Sequence, residues 1–171
     1  MNILVTGGAG FIGSHTCVVL LEAGHKIIVA DNLSNSSAIS LDRIKQITNK
    51  ELLFYKIDVT EKASVERIFS DHPIDGVIHF AGFKAVGESV VEPLKYYYNN
   101  TVSTMVLAGV CRKYGVRRFI FSSSATVYGD NRPPFVETMG LRAATNPYGQ
   151  TKAISEHILG DVARSEPGWT V

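Results

Sequence analysis

Residues 1 to 13, MNILVTGGAGFIG, constrain the fold more than any other stretch of the chain. Ile3-Leu4-Val5 is an apolar run of strand length. A glycine cluster follows it, and from Phe11 to Leu21 the apolar spacing suits a helix. The segment therefore reads as strand, tight turn and helix start. Gly7, Gly10 and Gly13 recur at every third position, and each missing side chain has a use. One permits a sharp turn, one the close approach of a pyrophosphate, and one the packing of helix on strand. The free N–H groups and positive dipole end of such a helix face an anion.

Asp31 closes the next apolar run, Lys26-Ile27-Ile28-Val29-Ala30. It falls 18 residues after Gly13, close to the offset of about 20 at which an acid takes the hydroxyls of an adenosine ribose. A carboxylate there also repels a 2′-phosphate. The expected cofactor is thus NAD rather than NADP.

Composition sets bounds around this reading. A chain of 171 residues with 45% apolar content is long enough for one domain with a parallel sheet covered on both faces. A net charge of +1 gives no reason to expect nucleic acid or an anionic membrane as partner. No apolar run approaches the ~18 residues that a membrane-spanning helix needs. Cys17 and Cys111 stand far apart in apolar helical contexts, which predicts buried free thiols and a reducing, cytoplasmic setting. His15, His25, His72, His79 and His157 show no metal-ligand spacing, so no metal is expected. His79, inside an apolar strand, reads as a core histidine.

Strands and helices alternate along the whole chain. Strands are expected at 3 to 6, 26 to 31, 52 to 57, 75 to 80 and 117 to 122, with another opening at Trp169. Helices are expected at 11 to 23, 38 to 47 and 61 to 70. A long helical region then reaches Tyr114, interrupted at Pro93, and a last helix covers 147 to 164. This alternation calls for a doubly wound, Rossmann-type α/β fold: a parallel sheet of five or six strands with helices on both faces.

In such sheets ligands lie beyond the carboxyl ends of the strands. The residues standing there are Gly7, Asp31, Asp58, Phe80-Ala81-Gly82 and Ser122-Ser123-Ser124. Asp58 is placed either to accept from an adenine amino group or to cap the following helix. Ala81 and Gly82 are small where a ribose must pass near the backbone, although small residues also simply end strands.

Tyr148 and Lys152 stand four apart in a helix launched by Asn146-Pro147, and so share one helical face. A free tyrosine, with a pKa of ~10, is almost wholly protonated at neutral pH. A nearby ammonium favours the phenolate, and lowering the pKa to ~7 requires about 4 kcal/mol. Tyr148 can then exchange a proton with a substrate hydroxyl while hydride moves to or from a nicotinamide. Ser124, with Thr126 as the fallback, ends a strand upstream, where a hydroxyl can hold the same substrate oxygen. The competing reading is a serine-rich turn that caps itself.

The segments TGGAGFIGSH, VADN, HFAGFKAVGES, FSSSATVYG and NPYGQTK resemble the extended short-chain dehydrogenase/reductase superfamily, and within it the UDP-hexose 4-epimerases, along the entire chain. The resemblance implies that Gly7, Gly10, Phe11, Ile12 and Gly13 meet the NAD pyrophosphate. Asp31, Asn32 and Asn35 would meet the adenosine ribose, and Asp58 and Val59 the adenine. Phe80, Ala81, Gly82, Lys84, Asn99 and Ser122 would follow the cofactor toward the nicotinamide. Asn100 stands beside Asn99, so this assignment turns on a register of one residue. Ser124, Tyr148 and Lys152 become the catalytic set, and Lys84, Ser124, Thr126 and Tyr148 the substrate contacts. The implied substrate is a UDP-sugar, UDP-galactose or UDP-glucose, oxidised transiently at C4 to a 4-keto sugar. A homodimer is implied for the complete enzyme.

The resembling enzymes carry a further half after this region, which holds the nucleotide-sugar contacts. The chain is accordingly expected to be the NAD-binding domain, with the substrate domain outside it. Related 4,6-dehydratases place Asp-Glu directly after the serine, where this chain has Ala125 and Thr126, so elimination lacks its acid and base. A reductase of the superfamily would share the same residues. A non-catalytic NAD-binding module would keep the glycines and lose the Tyr148–Lys152 pair.

Overall fold

A computed structural model describes every residue from Met1 to Val171. Five parallel strands form one sheet: β1 (Asn2–Thr6), β2 (Lys26–Ala30), β3 (Leu53–Tyr55), β4 (Gly76–His79) and β5 (Phe119–Phe121). The strand order is β3-β2-β1-β4-β5, so β1 lies between β2 and β4. The chain winds one way from β1 to β3 and the other way from β4 to β5. The reversal beside β1 opens a crevice above the sheet.

Alternation of side chains along β1 builds two cores at once. Leu4 joins Ile28, Val77 and Phe119 on one face. That face is covered by α3 (Lys62–Asp71), α5 (Pro93–Tyr114) and α6 (Pro147–Ser165) through residues such as Val65, Ile68, Leu107 and Leu159. Ile3 and Val5 point the other way, with Ile27, Val29 and Ile78. There α1 (Phe11–Glu22) contributes Cys17 and Leu21, and α2 (Ile39–Thr48) contributes Leu41 and Ile44. Strands buried on both faces read as continuous apolar runs, which is why their positions are plain in the sequence. Both cysteines are free and buried, as expected.

The differences from expectation have local causes. The expected strands 52 to 57 and 117 to 122 shrink to three residues each. β3 is an edge strand with one neighbour, and Leu53 and Phe54 stay exposed. Next to β5, Thr170 donates its amide to the Arg117 carbonyl and accepts from the Phe119 amide, the first parallel bridge of a sixth strand position. The long helical region divides into α4 (Val86–Val91) and α5, because Pro93 has no N–H to continue a helix and occupies the first turn of the next. No helix is long and apolar enough to cross a membrane.

Candidate cofactor and catalytic site

The turn after β1 needs its glycines for two separate reasons. Gly7 adopts φ +70°, and a Cβ there would sit 2.6 Å from the Ala81 amide at the end of β4. A Cβ on Gly13 would run into the Gly7 carbonyl, so only glycine lets α1 pack this close to the turn. Gly10 precedes the helix without any side-chain cap, and no acid lies in the first turn. The N–H groups at the start of α1 therefore point into the crevice with no side chain competing for them.

That crevice runs along the carboxyl ends of the strands. Gly7, Gly10, Phe11, Ile12 and Gly13 line it from the first turn, and Asp31, Asn32 and Asn35 from the loop after β2. Asp58 and Val59 follow β3, and Phe80, Ala81, Gly82 and Lys84 follow β4. Asn99 of α5, Ser122 after β5, and Tyr148 and Lys152 of α6 complete the set. The structure thus brings together every residue that the sequence pointed to along a cofactor path. Ser124 and Thr126 are placed differently. They belong to the short 3-10 turn Ala125–Tyr128 and its cap beside the cleft, and the Ser124 hydroxyl accepts from the Thr126 amide at 3.3 Å and the Thr126 hydroxyl at 2.9 Å. The serine caps its own turn, as the competing reading had it. The same turn abuts the start of α6, where a Cβ on Gly149 would stand 3.0 Å from Thr126.

Asp31 is buried, and its carboxylate serves both loops that flank it. It accepts from the Ala9 amide at 3.1 Å, from the Leu33 amide at 2.9 Å and from the Ser36 hydroxyl at 2.9 Å. Asp58 does not cap α3. Burial alone would raise its pKa, but the Thr60 amide and hydroxyl, with the Asn32 amide group, hold the carboxyl below its usual value.

The neighbouring asparagines take different places, joined by a hydrogen bond that the Asn99 amide group donates to the Asn100 side-chain oxygen at 2.9 Å. Asn99 faces the cleft, while Asn100 is buried. Asn100 accepts from the Phe83 amide at 2.9 Å and donates to the Phe83 carbonyl and the Thr151 hydroxyl, each at 3.0 Å. It is a clamp between the loop after β4 and α6. Sequence reasoning missed this role, as it missed Ser36 and Phe83. No spacing rule marks Asn100, whose partners Phe83 and Thr151 lie 17 and 51 positions away.

Asn146 caps α6 by accepting from the Gly149 amide at 2.8 Å, with Pro147 in the first turn. This sets Tyr148, half-buried, and Lys152, buried, on the cleft side. The Lys152 ammonium donates to the Ser122 carbonyl at 2.8 Å and lies 4.7 Å above the Phe121 ring. Burial pushes its pKa down to about 8. His79 lies fully inside, its Nδ1 2.7 Å from the Thr6 hydroxyl and its Nε2 within reach of Ser103 and Thr104. Burial, and then the charge on Lys152, lower its pKa to about 3. No group of His, Cys, Asp and Glu is arranged to hold a metal ion.

A family model, the NAD dependent epimerase/dehydratase family, matches residues 3–171. The chain belongs to this family. It is 55% identical to a UDP-glucose 4-epimerase of Bacillus subtilis, over 100% of this chain and 50% of that protein. A Caenorhabditis elegans UDP-glucose 4-epimerase is 48% identical over 100% of this chain and 52% of its own length. Among solved structures, the UDP-glucose 4-epimerase from Bifidobacterium longum in complex with NAD+ and UDP superposes with a TM-score of 0.97. It is 50% identical, and the match covers 99% of this chain and 51% of that one. The chain spans about half the length of the relatives it matches. The parallel, doubly wound sheet is the fold of these epimerases, and the family's cofactor is NAD.

Proposed function

We propose that this chain is the NAD-binding half of a UDP-glucose 4-epimerase, which interconverts UDP-galactose and UDP-glucose through a 4-keto sugar. The observation that carries the reading is that one cleft holds the glycine turn, Asp31 and the Tyr148–Lys152 pair. The cleft suits the cofactor on its own chemistry: an uncapped helix N-terminus for the pyrophosphate, a carboxylate for the ribose, and glycine where Cβ atoms would collide. Bound NAD supplies a hydride acceptor and donor at C4 of the hexose.

The chain's own residues do the rest. Gly7, Gly10, Phe11, Ile12 and Gly13 seat the pyrophosphate, and Asp31, Asn32 and Asn35 the adenosine ribose. Asp58 and Val59 border the adenine, and Phe80, Ala81, Gly82, Lys84, Asn99 and Ser122 guide the cofactor to its reacting end. Tyr148 takes the proton of the 4-hydroxyl and later returns it. The Lys152 ammonium lowers the cost of a phenolate at Tyr148. Ser124, with Thr126 and Lys84, contacts the sugar once the hexose reaches the turn beside the cleft. Elimination at C5 and C6 lacks an acid and base, since Ala125 and Thr126 follow Ser124.

The complete protein acts as a homodimer in the cytoplasm. Leu94, Tyr98 and Met105, exposed by 81%, 62% and 48%, form one apolar row on α5, and Val90 and Val91 extend it on α4. A second copy of the same helices is the occupant that this row fits. Two free buried thiols suit a reducing compartment. The test is conversion of UDP-galactose to UDP-glucose by the complete protein and its Tyr148→Phe variant. Loss of turnover by about 100-fold or more in the variant supports the reading; retained turnover removes Tyr148 from the chemistry.

A further inference from the structure

The Lys152 ammonium is buried, yet no carboxylate pairs with it. Two groups meet it instead: the Ser122 carbonyl at 2.8 Å and the face of the Phe121 ring, 4.7 Å from nitrogen to centroid. Both groups come from the end of β5, one residue apart. A carbonyl oxygen and an aromatic face each present negative potential to a cation without being able to take its proton. The ring itself is fixed, half-buried against the core, with the His79 ring beside it at 5.7 Å between centroids.

We propose that Phe121 is a positioning residue for the Lys152 ammonium: its ring face, together with the Ser122 carbonyl, holds the cation in the cleft one helical turn from Tyr148. This deepens the proposed function and rests on Lys152 being part of its chemistry. The ring adds to what the Ser122 carbonyl supplies. Burial works against the charged form of Lys152 and brings its pKa down to about 8. A ring face favours the charged form and opposes that pull.

The other titratable groups near Lys152 leave this role open. His79 of β4 is neutral across the working pH range, its pKa at about 3. Tyr148, one turn earlier on α6, and Lys84, from the loop after β4, share the cleft, and neither is a carboxylate. Tyr96 of α5 gives its hydroxyl to Glu88 of α4, so that carboxylate is already engaged, also by Lys95. Strand β5 has no ionisable side chain.

The experiment uses the complete protein with Phe121 replaced by phenylalanines carrying one, two and three ring fluorines. Fluorination drains the ring face and keeps the shape of the side chain. The Lys152 pKa is read from the 13C resonance of its ε-carbon, assigned as the signal missing in Lys152→Arg, and UDP-galactose turnover is followed against pH. The expected result is a stepwise fall in the Lys152 pKa with each fluorine, reaching about 0.5 to 1 unit. The alkaline limb of turnover shifts toward acid by the same amount. Phe121→Leu should match the most fluorinated ring, and Phe121→Tyr should retain the parent value. A Lys152 pKa that does not respond to fluorination overturns the proposal, even if Phe121→Leu damages the fold. A pKa that moves while the turnover limb stays still supports the role of Phe121 and overturns the assignment of Lys152 to the chemistry.

Discussion

The amide of Ala9 donates to the carboxylate of Asp31 at 3.1 Å, tying the glycine turn after β1 to the loop after β2. The Ser36 hydroxyl and Leu33 amide reach the other oxygen of the same carboxylate. The acid that would select the ribose is therefore also the joint between two walls of the cleft.

Asp31→Ala should consequently have two effects. It removes the ribose acceptor and the repulsion of a 2′-phosphate, so the preference for NAD over NADP narrows. Charge-assisted hydrogen bonds of this kind contribute about 1.5–3 kcal/mol, so NAD affinity should fall by about 10- to 100-fold. Titration of both nucleotides by calorimetry checks this. Equal affinity of the unmutated protein for the two would remove Asp31 as the basis of cofactor choice.

Two glycine substitutions should act in opposite directions. Gly13→Ala drives a methyl group into the Gly7 carbonyl, and Gly7 cannot retreat because Ala81, just after β4, stands behind it. A loss of about 1–3 kcal/mol is expected, with weaker nucleotide binding. Gly109→Ala, at an exposed position inside α5 with open space around it, should instead stabilise the fold by about 0.5–1 kcal/mol. Urea midpoints of the two variants measure both.

Lys152 has a folded pKa of about 8 against an ordinary value of 10.5, with burial as the cause. The cost of burying its charge is present below pH 8 and is relieved as pH rises from about 8 to 10.5. In the proposed reaction, activity runs the other way, because the ammonium proposed to assist Tyr148 is lost over the start of that range. Turnover should therefore decline above pH 8 while this group's contribution to stability increases. A pH profile of turnover beside urea midpoints at each pH separates the two trends.

His79 makes an acid-side prediction. Its folded pKa, lowered from 6.5 to about 3 mainly by burial, means that the unfolded chain takes up a proton which the folded one refuses. Stability from this group is intact above pH 6.5 and declines as pH falls toward 3, by up to ~1.4 kcal/mol per pH unit. His79→Asn should be less stable at neutral pH and should show a shallower acid decline. An unchanged slope between pH 6.5 and 4 would mean that other groups dominate it.

The parts of this molecule that are legible in the sequence are those dictated by local rules. Buried parallel strands are apolar throughout, so β1, β2 and β4 are visible as runs. Asn146-Pro147 announces α6, and Pro93 announces the break between α4 and α5. Asp31 is readable because its distance from the glycine turn is fixed by one strand-helix-strand unit. The clamp of Asn100 on Phe83 and Thr151, and the contact of Lys152 with Phe121, join residues up to 51 positions apart. Only the folded sheet brings such partners together. Ser124 shows the limit from the other side, since its sequence context allows both a turn cap and a substrate ligand. In this structure its hydroxyl is engaged with Thr126.

The 171-residue chain by itself should not epimerise UDP-galactose at a useful rate. It contains Tyr148 and Lys152 on one cleft, with Ser124 at the adjoining turn. Proton exchange at C4, however, requires the hexose to be held within about 3–3.5 Å of the reacting groups, an alignment worth roughly 7–11 kcal/mol. The cleft is a cofactor groove between strand ends, and the relatives are about twice as long as this chain. The edge of β5 also carries only a single bridge at Thr170, and Ile120 is 60% exposed there, so the chain alone should be less stable than the complete protein. The comparison is UDP-galactose turnover by the purified 171-residue chain beside the same chain extended to the length of its relatives. Activity confined to the extended protein, and abolished there by Tyr148→Phe, is the expected outcome. Equal turnover in both would mean that the sugar is held by residues of this half alone.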